Sequence, residues 1–117
     1  MVEVLYVFMT RQKVHEVLVR RQVELGLVVK ELWRLNDTRW TCRCRNMAML
    51  HERYVVILAV LEEVQQLNDV AIRSQSRELI HELRSYQFVT NLMIFNKILS
   101  LLHGVNEALQ SSTINIL

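Results

Sequence analysis

The chain has 117 residues, a hydrophobic fraction of 51% and a formal net charge of +2. This length corresponds to one domain or part of one, and the apolar content excludes an intrinsically disordered chain. Proline is absent and glycine occurs only at Gly26 and Gly104, which argues against a turn-rich β-sandwich and favours long helices. The net charge is too small to indicate nucleic-acid binding by itself.

The positive charge is concentrated in the first half of the chain. Residues 1–60 contain ten Lys and Arg against six Asp and Glu, whereas residues 61–117 contain four against six. The excess collects around residues 33–45, here called the junction, which also contain both tryptophans and both cysteines. This distribution indicates an anionic partner on that side of the molecule.

The first predicted elements are short. Residues 2–9 are apolar enough to be buried as either a strand or a short helix. Thr10 is expected to cap a helix from about Arg11 to Leu25, and Gly26 stands where a left-handed residue after a helix is favoured. Residues 27–29 are apolar and β-branched, which predicts an extended conformation.

A long helix is predicted after the junction. The polar residues 36–38 suit a turn and an N-cap. From about Arg39 to Gln66 apolar residues recur at spacings of three and four, which predicts one helical face. Residues 54–61 taken alone also fit a buried strand, and that alternative stays open.

The last part of the chain is predicted to form two helices. Asp69 is expected to cap a helix that runs to about Arg84, and Ser85 is the next capping candidate. The final helix, from about residue 86 to 110, has two apolar stripes, which predicts a central helix buried on more than one side. A coiled-coil dimer is the competing interpretation. Ser111 and Ser112 suggest the cap of a further helix. The stripes are Phe88, Leu92, Phe95, Leu99, Leu102 and Leu109, and Ile94, Ile98, Leu101, Val105 and Ala108.

These patterns predict a mainly all-α fold, a helical bundle with a long central C-terminal helix. One or two short strands near the N-terminus remain compatible with the pattern. The longest apolar region, residues 92–105, contains Asn96, Lys97 and His103 and is expected to be too short and too polar to span a bilayer. We therefore expect no membrane partner.

The cysteines and histidines predict neither a disulfide nor a metal site. A bridge between Cys42 and Cys44, one residue apart, would be strained, and the four histidines are scattered without a second cysteine pair. Reduced thiols in an intracellular protein are the simpler interpretation. Three His-Glu pairs recur, but neighbouring residues on a helix point about 100° apart, so each pair is more simply a solvated helix edge. No cofactor and no small-molecule substrate are predicted.

One ordered series of residues resembles a known family. Residues 35–43, Leu-Asn-Asp-Thr-Arg-Trp-Thr-Cys-Arg, are similar to the segment L-S-D-T-R-W-S-C-R of hAT-superfamily transposases and the proteins derived from them. The zinc-finger MYM-type-like and TTF-type-finger-like members are the most similar group. Similar residues flank the segment on both sides, and they include Leu5-Tyr6-Val7-Phe8, Val14-His15, Glu24-Leu25-Gly26, Leu61-Glu62-Glu63 and Ala108-Leu109-Gln110.

The resemblance implies a fragment of a larger nuclear protein. In such transposases an RNase H-like catalytic domain is interrupted by a large helical insertion, with two catalytic aspartates before the insertion and a glutamate after it. Residues 1–35 would then be the end of the first catalytic half, and residues 36–117 the start of the insertion. No acidic residue of this chain matches the three catalytic ones, so the resemblance implies that the chain is not an enzyme.

The same resemblance places candidate nucleic-acid-binding residues at the junction. The family's Arg-Trp pair falls on Arg39 and Trp40, and in active transposases that tryptophan acts at the DNA end. An exposed indole can stack on a base, worth about 1–3 kcal/mol, and a guanidinium can hold a phosphate. The alternative is that Trp40 is buried in the core while Arg39 pairs with a neighbour such as Asp37. The full candidate set is Arg34, Arg39, Trp40, Arg43 and Arg45.

Two functions are therefore expected from different classes. The first is a non-catalytic remnant of a transposase-derived protein that retains affinity for DNA through the junction. The second is a helical protein-interaction module whose apolar C-terminal helix docks on a partner or on itself, without nucleic-acid binding.

Overall fold

The computed structural model describes residues 2–33 and 40–116, and for residues 40–42 and 110–116 it describes the backbone alone. These ranges form six helices and contain no strand. The helices are α1 (Val2–Met9), α2 (Gln12–Glu24), α3 (Trp40–Glu52), α4 (Tyr54–Val64), α5 (Val70–Leu83) and α6 (Tyr86–Ile116). The predicted all-α class with a long C-terminal helix is confirmed.

The structure decides between the alternatives that the sequence left open. Residues 2–9 form a helix rather than a strand, and residues 54–61 lie within α4. Residues 27–33, here called the connecting segment, have no regular secondary structure. The expected boundary between residues 35 and 36 and the predicted turn at residues 36–38 lie outside the described residues.

Of the N-caps predicted at Thr10, Asp69 and Ser85, the last two are correct. The Asp69 carboxylate accepts a hydrogen bond of 3.1 Å from the Ile72 N–H, and the Ser85 hydroxyl accepts one of 3.2 Å from the Phe88 N–H. The Thr10 prediction is wrong, because its hydroxyl instead donates to the carbonyl of Val7 at the end of α1, at 2.8 Å. Local hydrogen bonding of this kind is the usual competitor of a cap.

The C-terminal glycine of α2 behaves as predicted. Gly26 has φ +70°, the left-handed region in which a side chain would be strained. This conformation ends α2 and directs the chain into the connecting segment.

The predicted single helix from residue 39 to 66 is interrupted at Arg53. α3 ends at Glu52 and α4 begins at Tyr54, while Arg53 has φ −110° and ψ 21°. Arg53 is buried at this break. Its guanidinium makes hydrogen bonds with groups outside α3 and α4, which helical periodicity does not reveal.

The centre of the molecule is α4, which packs against α2, α5 and α3. Alternating turns of α4 bury residues against helices on more than one side. The apolar core also receives side chains from α1, α2, α3 and α5, so the N-terminal helices share one core with the later ones. Its fully buried members include Leu5, Phe8, Val14, Leu18, Leu50, Ile57, Val60, Leu61, Val64 and Leu83.

The prediction that the C-terminal helix is central and buried on two sides is wrong. α6 packs against α3 and, at its start, against α5. Among the side chains of α6 that are described, Leu92 alone is buried, and those of residues 101–109 are all exposed. The helix projects from the body, which gives the molecule extents of 62 × 30 × 25 Å. The further helix expected after residue 112 does not form, because α6 continues to Ile116.

α6 also corrects the expectation about apolar length. The stretch from Tyr86 to Leu109 has 24 residues and contains an 18-residue window with a mean hydropathy of 1.3, so it is long and apolar enough to cross a membrane by length and composition alone. Only 6% of that window is buried, so α6 is not a core helix. The expectation of no membrane partner stays a prediction.

Candidate nucleic-acid interface

The structure describes two of the five candidate residues in full. Arg43 and Arg45 lie exposed on α3, one turn after its start. Trp40 is the first residue of α3, but only its backbone is described, and Arg34 and Arg39 lie outside the described residues. Whether Trp40 is exposed at a DNA site or buried beside an Arg39–Asp37 pair therefore stays a prediction.

A buried amide side chain fixes the end of the connecting segment to α3. Asn46 is fully buried. Its Oδ1 accepts a hydrogen bond of 2.7 Å from the Trp33 N–H, and its Nδ2 donates one of 2.8 Å to the Trp33 carbonyl. The amide thus satisfies both polar groups of one residue's backbone, as a neighbouring strand would. The backbone of Trp33 is thus held at two points.

The indole of Trp33 is accessible and carries a cation. Trp33 is 52% exposed, and the guanidinium carbon of Arg45 lies 4.1 Å from the centroid of its ring. Such stacking stabilises both side chains in one arrangement and places positive charge on an aromatic surface. The Trp33–Arg45 pair therefore combines the two groups that contact bases and phosphates in single-stranded nucleic-acid sites.

A second buried amide holds the middle of the connecting segment. Gln22 of α2 is fully buried. Its Oε1 accepts from the Lys30 N–H at 2.9 Å and its Nε2 donates to the Lys30 carbonyl at 3.0 Å. Gln22 and Asn46 thus hold two residues of the segment in the same way, one from α2 and one from α3.

Arg53 closes this network from the break between α3 and α4. Its Nε donates to the Gln22 Oε1 at 3.2 Å and its Nη2 to the Val28 carbonyl at 3.1 Å. Its Nη1 lies 3.2 Å from a carboxylate oxygen of Glu52. A buried guanidinium is tolerated only when its donors are paired in this manner. The connecting segment is thus held by three buried polar side chains.

Most of the neighbouring cations are paired with carboxylates. Glu63 of α4 receives hydrogen bonds from Arg20 and, at 2.9 Å, from Arg21 of α2. Lys30 pairs with Glu52, and this contact lowers the pKa of the Glu52 carboxyl. These ion pairs join elements of the fold, so the cations in them stabilise the structure rather than offering charge to a partner.

The Glu63 contacts make stability depend on pH. The hydrogen bond from Arg20 lowers the pKa of the Glu63 carboxyl below its ordinary value of 4.5. A carboxyl with a lowered folded pKa stabilises the folded state above its unfolded pKa, and this contribution is lost as pH falls through the folded pKa. We therefore expect Glu63→Gln to lower the free energy of unfolding by roughly 0.5–1 kcal/mol at neutral pH. The difference from wild type should vanish once pH falls below the lowered pKa of Glu63, as measured by urea unfolding.

The control for this prediction is Glu78→Gln. Glu78 is exposed on α5 and makes no ion pair within the described part of the chain. Its replacement removes the same charge and should leave the pH profile of wild type unchanged. Equal profiles for wild type and Glu63→Gln would contradict the prediction.

Within the described residues, no three His, Cys, Asp or Glu side chains lie close enough together to hold a metal ion. Burial raises the pKa of the Cys44 thiol, which disfavours the reactive thiolate. An open groove of about 770 Å³ lies between α1 and α5, with Val4, Phe8 and Leu79 in its lining. The expectation that no small molecule or cofactor binds stays a prediction.

Sequence reasoning missed the roles of Asn46, Gln22 and Arg53. The available signal was a polar residue within a run that is otherwise apolar or helical, as at Asn46 between Arg45 and Met47. That signal suggests burial with a partner but does not identify the partner. The Trp33 backbone lies 13 residues away in sequence, and no local pattern connects the two.

The fold and these side chains define an all-α protein with an exposed aromatic and basic edge. Comparison with protein-family models, with curated proteins and with solved structures finds no match to this chain.

Proposed function

We propose that this chain is a non-catalytic helical part of a hAT transposase-derived nuclear protein, of the zinc-finger MYM-type-like kind, and that its junction contacts nucleic acid. The resemblance of residues 35–43 and its flanking matches support the family assignment. The observation that carries the binding proposal is the exposed Trp33–Arg45 pair, whose backbone is held in place by the buried Asn46.

The Trp33–Arg45 pair is preorganised for binding. An aromatic side chain on a mobile loop must be ordered when a base stacks on it, which costs free energy. Trp33 is already held through both of its backbone polar groups, and Arg45 already lies over its ring. A base can stack on the exposed part of the indole while the guanidinium approaches a phosphate.

The partner best suited to this pair is a single strand. Bases of a duplex are stacked on one another and do not offer a free face to an indole, whereas unpaired bases do. Arg43 is exposed one turn into the same helix and adds positive charge at this end of α3. For such a small cationic surface we expect non-specific binding with a dissociation constant of about 10⁻⁴–10⁻⁶ M at physiological salt.

The test is a titration of the full chain with single-stranded DNA at several salt concentrations between about 50 and about 200 mM. We expect Trp33→Ala to weaken binding by about 1–3 kcal/mol at every salt concentration, because stacking is lost. The plot of log K against log salt has a negative slope. Arg45→Ala should make this slope less steep by about 1, because one phosphate contact is lost. A double variant that carries Arg39→Ala and Trp40→Ala tests the site that the resemblance implies.

The matched control is Arg73→Ala, which removes one exposed arginine on α5 and changes the net charge equally. It should leave affinity and salt slope close to those of wild type. Absence of binding at low salt, or equal effects of Arg73→Ala and Arg45→Ala, would rule out a site at the junction.

One specific observation favours the second candidate function, a helical protein-interaction module. The large apolar residues of the projecting half of α6 are exposed. Monomeric proteins rarely leave such a surface uncovered.

A further inference from the structure

The connecting segment is extended where it approaches Trp33. Lys30 and Trp33 each offer their own N–H and carbonyl to a single buried amide side chain. A residue directs both groups to the same side when its backbone is extended, as in a hydrogen-bonded pair of strands. The burial pattern agrees, because Leu32 is 7% exposed and lies between two exposed residues, Glu31 and Trp33. Glu31 and Trp33 therefore share the outer side of the segment.

The Glu31 carboxylate stands beside the proposed site for nucleic acid. Two residues of an extended chain span about 7 Å, so Glu31 places a negative charge next to any phosphate that approaches the Trp33 indole and Arg45. Like charges at this separation repel, and salt screens the repulsion only in part, because the Debye length is about 8 Å at physiological ionic strength. An ionised Glu31 therefore weakens the binding of a phosphate backbone unless its charge is neutralised.

A histidine of α2 contacts this carboxylate. The Nε2 of His15 lies in hydrogen-bonding contact with the Oε1 of Glu31, and the two side chains are 42% and 54% exposed. Histidine is the side chain whose charge ordinarily changes between about pH 5 and pH 8. A protonated imidazole cancels the charge of Glu31, whereas a neutral imidazole leaves that charge in place.

We propose that the His15–Glu31 pair makes nucleic-acid binding by the Trp33–Arg45 pair depend on pH, with tighter binding at lower pH. This inference rests on the proposed function and adds a regulation of the same site. At high pH an approaching phosphate meets the uncancelled charge of Glu31, and at low pH it meets a neutral pair. The His15–Glu31 pair acts on binding rather than on folding, because an ion pair between exposed side chains contributes little to stability.

Within the described part of the chain, Glu31 is the charged group that makes an ion pair with the His15 side chain. Most other charged groups of α2, α4 and the connecting segment are paired elsewhere. These pairs are Arg20 with Glu24 and Glu63, Arg21 with Glu63, Lys30 with Glu52, and Glu62 with Arg84. The remaining charged groups of α2 and its neighbours α1 and α4, which make no ion pair with His15, are Glu3, Arg11, Lys13 and Glu16.

One other histidine stands on the helix that carries Arg45. His51 is exposed on α3, six positions after Arg45. Six residues of a helix rise about 9 Å and leave the two side chains about 120° apart around the axis. His51 therefore projects from a different side of α3, and we expect its charge to affect the Trp33–Arg45 pair less than that of His15.

The test is a titration of the full chain with a thymidine oligonucleotide, whose bases keep their charge state, at about pH 5.5 and about pH 8. We expect the wild type to bind about threefold to tenfold more tightly at the lower pH, the effect of one neighbouring charge. His15→Gln should bind with the weaker affinity at both pH values, because the charge of Glu31 is never cancelled. Glu31→Gln should bind at the higher pH about as tightly as the wild type does at the lower one.

The matched control is His81→Gln, which removes an exposed histidine of α5 and should keep the pH response of the wild type. His51→Gln should keep it as well. A second measurement needs no nucleic acid. In nuclear magnetic resonance spectra of the free, isotope-labelled chain, the backbone amide of Glu31 should follow the His15 imidazole with the same midpoint, and this response should disappear in His15→Gln.

Equal affinity of the wild type at both pH values would overturn this inference while leaving the nucleic-acid contact intact. A pH response that survives His15→Gln, or that His51→Gln removes, would overturn it as well. A Glu31 amide that does not follow His15 in the free chain would show that the two side chains do not form the pair. Absence of binding at both pH values would instead contradict the proposed function, and the inference with it.

Discussion

Replacement of Asn46 by alanine is expected to lower the free energy of unfolding by about 2–4 kcal/mol, because it removes a fully buried amide and leaves the partly buried N–H and carbonyl of Trp33 without this partner. The wild-type amide satisfies both groups at 2.7 and 2.8 Å and is itself fully buried. The loss should appear in urea unfolding followed by far-ultraviolet circular dichroism. Asn46→Asp keeps the acceptor and loses the donor, so it should also destabilise the fold.

The matched control for Asn46 is Asn91→Ala. Asn91 is exposed on α6, and its replacement should change stability by less than about 0.5 kcal/mol. An Asn46→Ala protein that is as stable as Asn91→Ala would show that the Trp33 backbone does not depend on this contact. The preorganisation argued for the Trp33–Arg45 pair would then fail as well.

The second large effect is expected at Arg53. Arg53→Met preserves much of the buried volume but removes the hydrogen bonds to the Val28 carbonyl and the Gln22 Oε1. We expect it to lower the free energy of unfolding by about 3 kcal/mol, because the buried Gln22 Oε1 and the partly buried Val28 carbonyl lose a charged donor. Arg73→Met, at an exposed position of α5, should change stability by less than about 0.5 kcal/mol.

A double-mutant cycle separates the Arg53–Gln22 contact from a general effect of removing charge. Gln22→Leu removes the acceptor and also releases the Lys30 backbone. If the two side chains act as one network, the loss of stability in the double variant should be smaller than the sum of the losses in the two single variants by about 1–2 kcal/mol. Additive losses would show that Arg53 and Gln22 stabilise the fold independently.

Local features of the fold could be predicted from the sequence. The all-α class follows from the absence of proline and from helical spacing, and the caps at Asp69 and Ser85 depend on residues three positions apart. Gly26 is similar, because its left-handed conformation is a property of one residue. For the caps and for Gly26, all the residues that determine the conformation lie within about one turn of helix.

Features that depend on distant residues could not be predicted. The break at Arg53 is accompanied by contacts with Val28 and Gln22, 25 and 31 residues away, and the apolar pattern runs through the break without interruption. The prediction that α6 is buried was wrong for a related reason. An apolar stripe shows which side of a helix avoids water, but not whether the chain itself supplies the element that covers it.

The candidate site also combines features that could be predicted from the sequence with contacts that could not. The sequence drew attention to the junction, and the structure describes Arg43 and Arg45 there as exposed. The contact of Arg45 with Trp33 could not be predicted, because it crosses from α3 to a segment without regular structure. Asn46, which holds that segment, looks like any polar residue on a helix until its partner is known.

The nucleic-acid contact at the junction is tested most directly by a nuclear magnetic resonance titration of the isotope-labelled chain with a short single-stranded oligonucleotide. We expect the largest changes at the Trp33 indole N–H, the Arg45 side-chain N–H and the backbone amides of residues 43–46, while those of α5 stay unchanged. Changes confined to α5 or α6, or no change at low salt, would contradict nucleic-acid binding by the Trp33–Arg45 pair.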